Sequence, residues 1–425
     1  MGSEMTSRER VYATLNHEEP DRVPIDFGGN YNTCVSAIAY NRLKKHLGID
    51  TPTYGRSVIT MIASPDLDEG LEIMKMMGGD ILEFPSNMWG DWKDGLPYGV
   101  LDETMEFTLK DGSKCIFPSR PEPLLRASGD WEIEQNGITT FRMPGGGYYF
   151  DRIHNPMAEI KTIKQLEELF PFMIQSGYYA PLKEKYLDKM SKHAKQAHEQ
   201  TDFFIIGNIH SYLSVWHACL EAFGYENYYM FMAADPEFVH CWMEFSTNAL
   251  INRLDGYLKA VGPYINGFII GDDYGTQNAP QMSTKMFREL VKPYLTRICK
   301  FIHETCPHVK ILQHSCGSIA PLIPELIDAG VDAVNPVQTT AKNMDAEMLK
   351  REFGKDITFW GGGVSCQTTL FDGTVKDVED EVKKKLEIFK PGGGYVFTTD
   401  HDIQEHVMPE MILAAFQTAQ KYRNY

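Results

Sequence analysis

The chain has 425 residues, 43% of them hydrophobic, with 58 acidic side chains against 41 basic ones and a net charge of −17. Such a length and composition suit a globular protein with a sizeable core. The acidic balance argues against nucleic acid and anionic membranes as partners, and no apolar run is long enough to span a bilayer.

The opening stretch, MGSEMTSRERVYATLNHEEPDRVP, carries no apolar signal segment. Eight scattered cysteines form no CxxC pair, so they read as reduced thiols of a cytoplasmic protein. The first strand is expected in RVPIDFGG (22–29) and the second in DILEFP (80–85). Both are short apolar runs of the kind a strand covered on both faces needs.

The rhythm then breaks from about 86 to 160. DETMEFTLKDGSKCIF (102–117) turns at Asp111-Gly112, and WEIEQNGITTFRM (131–143) turns at Asn136-Gly137. Both are hairpin signals, so a small antiparallel insertion is expected here, shaping or covering a site. Trp89, Trp92 and Tyr98 make its first part rich in aromatics; they could wall a planar substrate or pack the insertion itself.

Strands resume at FFIIGNIH (203–210) and GFIIGDD (267–273), followed by a helical pattern over 287–306. KILQHSCG (310–317) precedes a helix over 318–330, and DAVNPVQ (332–338) and ITFWGGG (357–363) follow. A helix over 374–394 opens on a capping box, Thr374 with Asp377, and presents Val378, Val382, Leu386 and Phe389 as one stripe before PGGG. YVFTTDH (395–401) is the eighth strand. Eight strands, several joined by helices, predict an α/β fold: a (β/α)8 TIM barrel, one domain over 1–425, with the 86–160 β-rich insertion after the second strand.

In such a barrel the polar groups at the C-terminal strand ends share one mouth. They include Asp26, Asn208, His210, Asp272, Asp273, Gln277, His314, Cys316, Asn335, Gln338, Gln367, Asp400, His401 and Gln404. His314 and Cys316, two apart on a strand, project to one face. Imidazole with thiolate suits zinc, which in catalytic sites takes three protein ligands and leaves a position open. The bland alternative is a buried histidine beside a core cysteine. A third ligand must come from another strand end, with His401 or Cys366 to supply it.

Of Asp272 and Asp273, adjacent and so on opposite faces, one is expected to face the mouth as a catalytic carboxylate and the other to brace a loop. His401 joins them as a catalytic group. Asp26, Asn208, His210, His217 and Gln338 are read as substrate-binding residues. Trp216 could stack on substrate, although a core role suits a lone aromatic better.

These segments resemble the uroporphyrinogen decarboxylase superfamily, which includes cobalamin-dependent methyltransferases. RERVYATLNHEEPDRVPIDFG is similar to its opening, and GDDYGTQNAPQMSTKMFRELVKPY, QHSCGSIAPLIPELIDAGVDAVNPVQ, TFWGGGV and HDIQEHVMPEMI are similar to its later segments. The resemblance implies the same barrel. The decarboxylases resemble proteins with an arginine-rich N-terminal segment that holds acidic side chains; the corresponding IDFGGNYNTCVSAIAY has no arginine.

The zinc methyltransferases of the superfamily use a His-x-Cys pair, matched by His314 and Cys316, and a later cysteine. His401 stands at that later position here, a departure that leaves the third ligand open. The resemblance implies methyl transfer between a small substrate, such as a methoxylated aromatic ether, and the cobalt of a corrinoid. No Asp-x-His-x-x-Gly motif is present, so the corrinoid would ride on a partner protein. Zinc would hold a thiol as thiolate or polarise an ether oxygen. A metal-free decarboxylase acting on a tetrapyrrole or related acid is the alternative, and a non-catalytic barrel the third. Related barrels often form homodimers, which the sequence leaves open.

Overall fold

A computed structural model of the chain describes residues 4–65, 71–84, 104–119, 121–175, 179–209 and 213–425. Seven parallel strands form one sheet in chain order: Ile81–Phe84, Phe204–Gly207, Gly267–Gly271, Lys310–His314, Ala333–Asn335, Thr358–Trp360 and Tyr395–Val396. The 22–29 run forms no ladder, because Pro24 lacks an N–H. Ile25 alone bridges Gly79 on one side and Phe397 on the other, both in parallel sense. The Asp26 N–H donates to the Phe397 carbonyl at 2.8 Å, and the Asp80 N–H to that of Ile25 at 2.7 Å. These bonds close the sheet into the eight-membered barrel that the strand count predicts.

Side chains alternate across each strand, so the sheet separates two apolar layers. Ile81, Phe204, Ile206, Ile269, Leu312, Trp360 and Val396 form an inner cluster with Val11 and Leu15 of the Ser7–Leu15 helix. That helix starts at a Thr6–Glu9 capping box and stands against the N-terminal end of the barrel, its Tyr12 ring 5.2 Å from that of Phe204. With apolar side chains filling this end, polar strand-end groups gather at the other.

Outside the sheet, the Val375–Phe389 helix keeps its Thr374–Asp377 box and buries all four residues of its stripe. The helix expected over 287–306 is two, Thr284–Leu290 and Lys292–Thr305, since Pro293 has no N–H to continue the first. The 318–330 pattern opens as a 3-10 turn, Ala320–Leu322, before Ile323–Ala329. No membrane-crossing helix, long and apolar enough, occurs among the described residues.

The antiparallel insertion lies between the strands Ile81–Phe84 and Phe204–Gly207. Thr104–Thr108 pairs with Lys114–Pro118, and a four-stranded sheet runs Asp151–Arg152, Ile138–Met143, Trp131–Gln135, Pro123–Leu125. Asn136 and Gly137 both take positive φ, at 53° and 77°, as a two-residue I′ hairpin turn requires. A further antiparallel sheet of Val35–Ser36, Ile62–Ala63 and Gly55–Ser57 was not expected; its strands are too short to show alternation. Trp89, Trp92 and Tyr98 lie outside the described residues, as does His210.

Candidate metal centre

Strand register sets the site. Gly271 pairs with His314, and His314 with Asn335, so three neighbouring strands end level. The Asn335 amide donates to the Trp360 carbonyl at 3.0 Å, which turns its Oδ1 towards His314 Nδ1, also at 3.0 Å. His314 Nδ1 therefore carries the proton, and Nε2 keeps its lone pair facing the mouth.

Around that lone pair stand two further donor atoms. Cys316 Sγ and Asp273 Oδ1 are each 3.5 Å from His314 Nε2. The ligand atoms of Asp273, His314 and Cys316 all fall within 4.8 Å of one another. Bond lengths of about 2.0–2.3 Å to zinc put neighbouring ligand atoms of a tetrahedron ~3.3–3.8 Å apart. The two 3.5 Å separations fit that edge, and the donor set of imidazole, thiol and carboxylate fits the ion.

The electrostatics agree. Burial keeps His314 neutral, lowering its pKa although Asp273 works the other way. Burial would raise Asp273, but the charge His314 carries when protonated and the Cys316 N–H, 2.8 Å away, bring it below its ordinary value. Burial, with Asp273 beside it, pushes the Cys316 thiol well up. The cluster thus presents a lone pair and an anion beside a thiol that needs a cation to ionise.

Gly275 and Gly317 make the approach possible. A Cβ on Gly317, which has φ +83°, would lie 2.6 Å from the Thr276 carbonyl oxygen, and one on Gly275 would lie 2.5 Å from that of Cys316. Two mouth loops here pass backbone against backbone, which fixes the height of Cys316.

Asp272 faces away from the cluster. It accepts the hydroxyl of Ser214 at 2.7 Å and the N–H groups of Val215, Trp216 and His217 at 2.9, 2.8 and 2.5 Å, with the Tyr274 hydroxyl at 3.0 Å. With five donors it braces the 214–217 loop, and the catalytic role expected for it is corrected to that one. Trp216 is fully buried behind the loop.

His401 and Cys366, the third ligands expected, do not join the compact set; Asp273 takes that place. The His401 ring stands 6.4 Å from the His314 ring, at the same end of the barrel. Cys366 turns its thiol to the His401 carbonyl at 3.2 Å, and its N–H donates to Asp400 at 2.6 Å. Both line an open cavity of about 550 Å³ with Cys316, Gln338, Gln367 and Gln404. Gln338 also accepts the Gly317 N–H at 2.6 Å.

Asp26 has no exposed surface. It accepts from Gly29, Asn30, Thr33 and the Trp360 indole, all within 3.0 Å, so it braces its own turn and does not reach a substrate. Burial raises its pKa to about 6. Asn208 is committed to Glu83, which Arg56 meets at 2.8 Å. Sequence reading missed this buried ion pair, although a charge inside the apolar run ILEF is a visible signal. His217 lines a second cavity, of about 490 Å³.

The model of the uroporphyrinogen decarboxylase (URO-D) family matches residues 150–422. The chain belongs to this family. Among solved structures, a methyltransferase from Methanosarcina mazei is similar over 99% of this URO-D chain and 99% of its own, with TM-score 0.58 and 16% identity. Xylanase 10B from Thermotoga maritima is similar over 57% of this chain and 82% of its own, with TM-score 0.36 and 11% identity. No curated protein matches. The first of these likenesses shows a shared fold that also takes in the N-terminal part the family model leaves unmatched.

Proposed function

We propose that this URO-D family protein is a methyltransferase in which Asp273, His314 and Cys316 hold a zinc ion. It would move a methyl group between a small substrate and the cobalt of a corrinoid carried by a separate protein, as in an O-demethylation system. The observation that carries the reading is the pair of 3.5 Å separations about His314 Nε2. Bound zinc would supply Lewis acidity, favouring a deprotonated thiol or drawing charge from an ether oxygen.

The chain's own residues do the rest. Asn335 orients the imidazole, and the 2.8 Å bond from the Cys316 N–H holds Asp273 in place. His401 stands at the rim within reach of a group entering from the open cavity, where it can hydrogen-bond substrate or exchange a proton. That cavity, about 550 Å³ and fringed by Gln277, Gln338, Gln367 and Gln404, suits a bulky cofactor presented by a partner.

The decarboxylase alternative is less well supported. A substrate bearing several carboxylates needs cations, and among the described residues lining the two large cavities Arg152 is the one Arg or Lys, already paired with Glu221 at 3.2 Å. Purified without chelators, the protein should contain about one zinc per chain, and Cys316→Ala should lose most of it together with methyl transfer to a Co(I) corrinoid protein. Mass spectrometry of metal content and the corrinoid absorption change measure both. A metal-free preparation with full activity would sink the zinc reading.

A further inference from the structure

The three ligand side chains come from two neighbouring strand ends, and the residue between His314 and Cys316 is not one of them. Ser315 has no exposed surface, and its N–H donates to the Asn335 carbonyl at 2.6 Å. Its hydroxyl oxygen meets the other ligand-bearing strand end, where it accepts the Tyr274 N–H at 2.9 Å. That N–H belongs to the residue directly after Asp273.

The bond belongs to a ladder that continues past the last paired strand residues. The Asp272 N–H donates to the His314 carbonyl at 3.0 Å, the Tyr274 N–H to Ser315 Oγ, and the Cys316 N–H to Asp273 Oδ1 at 2.8 Å. The first two grip the backbone on either side of Asp273 and hold it against the strand that carries the other two ligands. The Tyr274 hydroxyl also donates to Asp272 at 3.0 Å, which ties the flanking residues to each other.

The two grips differ in what they depend on. The Asp272 bond runs from main chain to main chain, whereas the Tyr274 bond depends on one hydroxyl. Without that hydroxyl the Tyr274 N–H, in a residue with no exposed surface, loses its acceptor, and the chain at 273–274 must shift to find another. A metal site tolerates ligand distances within about 0.2 Å, so a small shift is enough to matter. The fold itself has other ties here. The Ser318 N–H donates to the Thr276 carbonyl at 2.8 Å, and Gly275 and Gly317 bring the two loops backbone to backbone. Loss of the hydroxyl therefore acts locally, on Asp273.

We propose that Ser315 is a positioning residue of the metal centre: its hydroxyl, through the Tyr274 N–H, sets where the Asp273 carboxylate stands relative to His314 and Cys316. The proposal rests on the zinc reading above and adds the group that brings the third ligand into place. Its test is a double-mutant cycle on zinc affinity, measured by competition with a chromophoric chelator, with Ser315→Ala, Asp273→Ala and the two combined. Ser315→Thr and Ser315→Val, alike in shape but with and without the hydroxyl, repeat the comparison should Ser315→Ala fail to fold.

Ser315→Ala is expected to weaken zinc binding about tenfold or more. The combined variant should bind no more weakly than Asp273→Ala alone, because Ser315 acts through that carboxylate. Ser315→Thr should bind more tightly than Ser315→Val by a similar factor. Unchanged affinity in Ser315→Ala, or equal affinities in the Thr and Val variants, would overturn the proposal. So would a loss that adds in full to that of Asp273→Ala, which is what a general loosening of the site produces. The two readings fail in distinguishable ways. A wild-type protein without affinity for zinc takes both down, whereas tight wild-type binding that ignores the hydroxyl removes the role of Ser315 and leaves the zinc reading standing.

Discussion

One amide decides which nitrogen His314 offers. Asn335 is held by its donation to the Trp360 carbonyl, so it can only accept from His314 Nδ1. Outer partners of this kind typically contribute 10–100-fold to metal affinity. Asn335→Leu is accordingly expected to weaken zinc binding by about that factor, while Asn335→Asp, which keeps an acceptor, retains most of it; competition with a chromophoric chelator measures both. Residue-level legibility in the sequence was uneven. Adjacent carboxylates on opposite faces follow from strand geometry alone, and Asp272 and Asp273 do divide into a brace and a mouth group. Which of them reached the imidazole did not follow, because it depends on the register of Gly271 against His314. The third ligand was sought at His401 or Cys366 and not at Asp273 for the same reason: side-chain reach across a mouth is a tertiary quantity.

At the scale of elements, strands and caps were the legible part. Apolar runs, Asn-Gly and Asp-Gly turns and the Thr374–Asp377 box are local signals, and each lies where it was read. The 22–29 strand, by contrast, shrinks to isolated bridges, its two parallel ones both at Ile25, and Pro293 divides a helix that periodicity alone joined. Helices also lock to one another through Glu325, which takes Arg288 at 2.5 Å and Lys292 at 2.7 Å and so ties three of them. The hydrogen bonds from Arg288 and then Lys292 lower its pKa from 4.5 to about 2. A depressed carboxylate pKa contributes stability above the unfolded value, and that contribution is lost as pH falls through the folded one. Because Arg288 is largely exposed, the network is worth on the order of 1–2 kcal/mol. Glu325→Gln should be less stable than wild type by that amount at pH 7, with the gap closing between pH 4.5 and about 2 in denaturant titrations.

For the whole molecule, the decisive charges sit at the closed end of the barrel, far in function from the mouth. Asp80 has no exposed surface and binds Arg10 at 2.8 Å, Arg22 at 2.7 Å, Ser7 at 2.6 Å and the Ile25 N–H at 3.0 Å. It therefore joins the N-terminal helix, the closing segment and the second strand. Arg423 lies close by, its pKa lowered to about 10 by burial and then by Arg22, a sign of crowded positive charge. Asp80→Ala would leave Arg10, only 1% exposed, without this partner. The expected loss is on the order of 3–5 kcal/mol, read by denaturant unfolding, with metal content unchanged in the folded fraction. None of this network could be read from sequence, since its members come from positions 7, 10, 22, 25 and 80 and meet only when the barrel closes.

The single-residue closure at Ile25 has a consequence for how the protein is made. Its two neighbours, Gly79 and Phe397, leave the ribosome very far apart in time. About 370 residues separate Ile25 from Phe397, which at ~5–20 residues per second is roughly 20–75 s of synthesis. For all that time the growing sheet has an unpaired edge, the kind of surface that invites pairing with other chains. The nascent barrel would depend on chaperone cover until its last strand emerges.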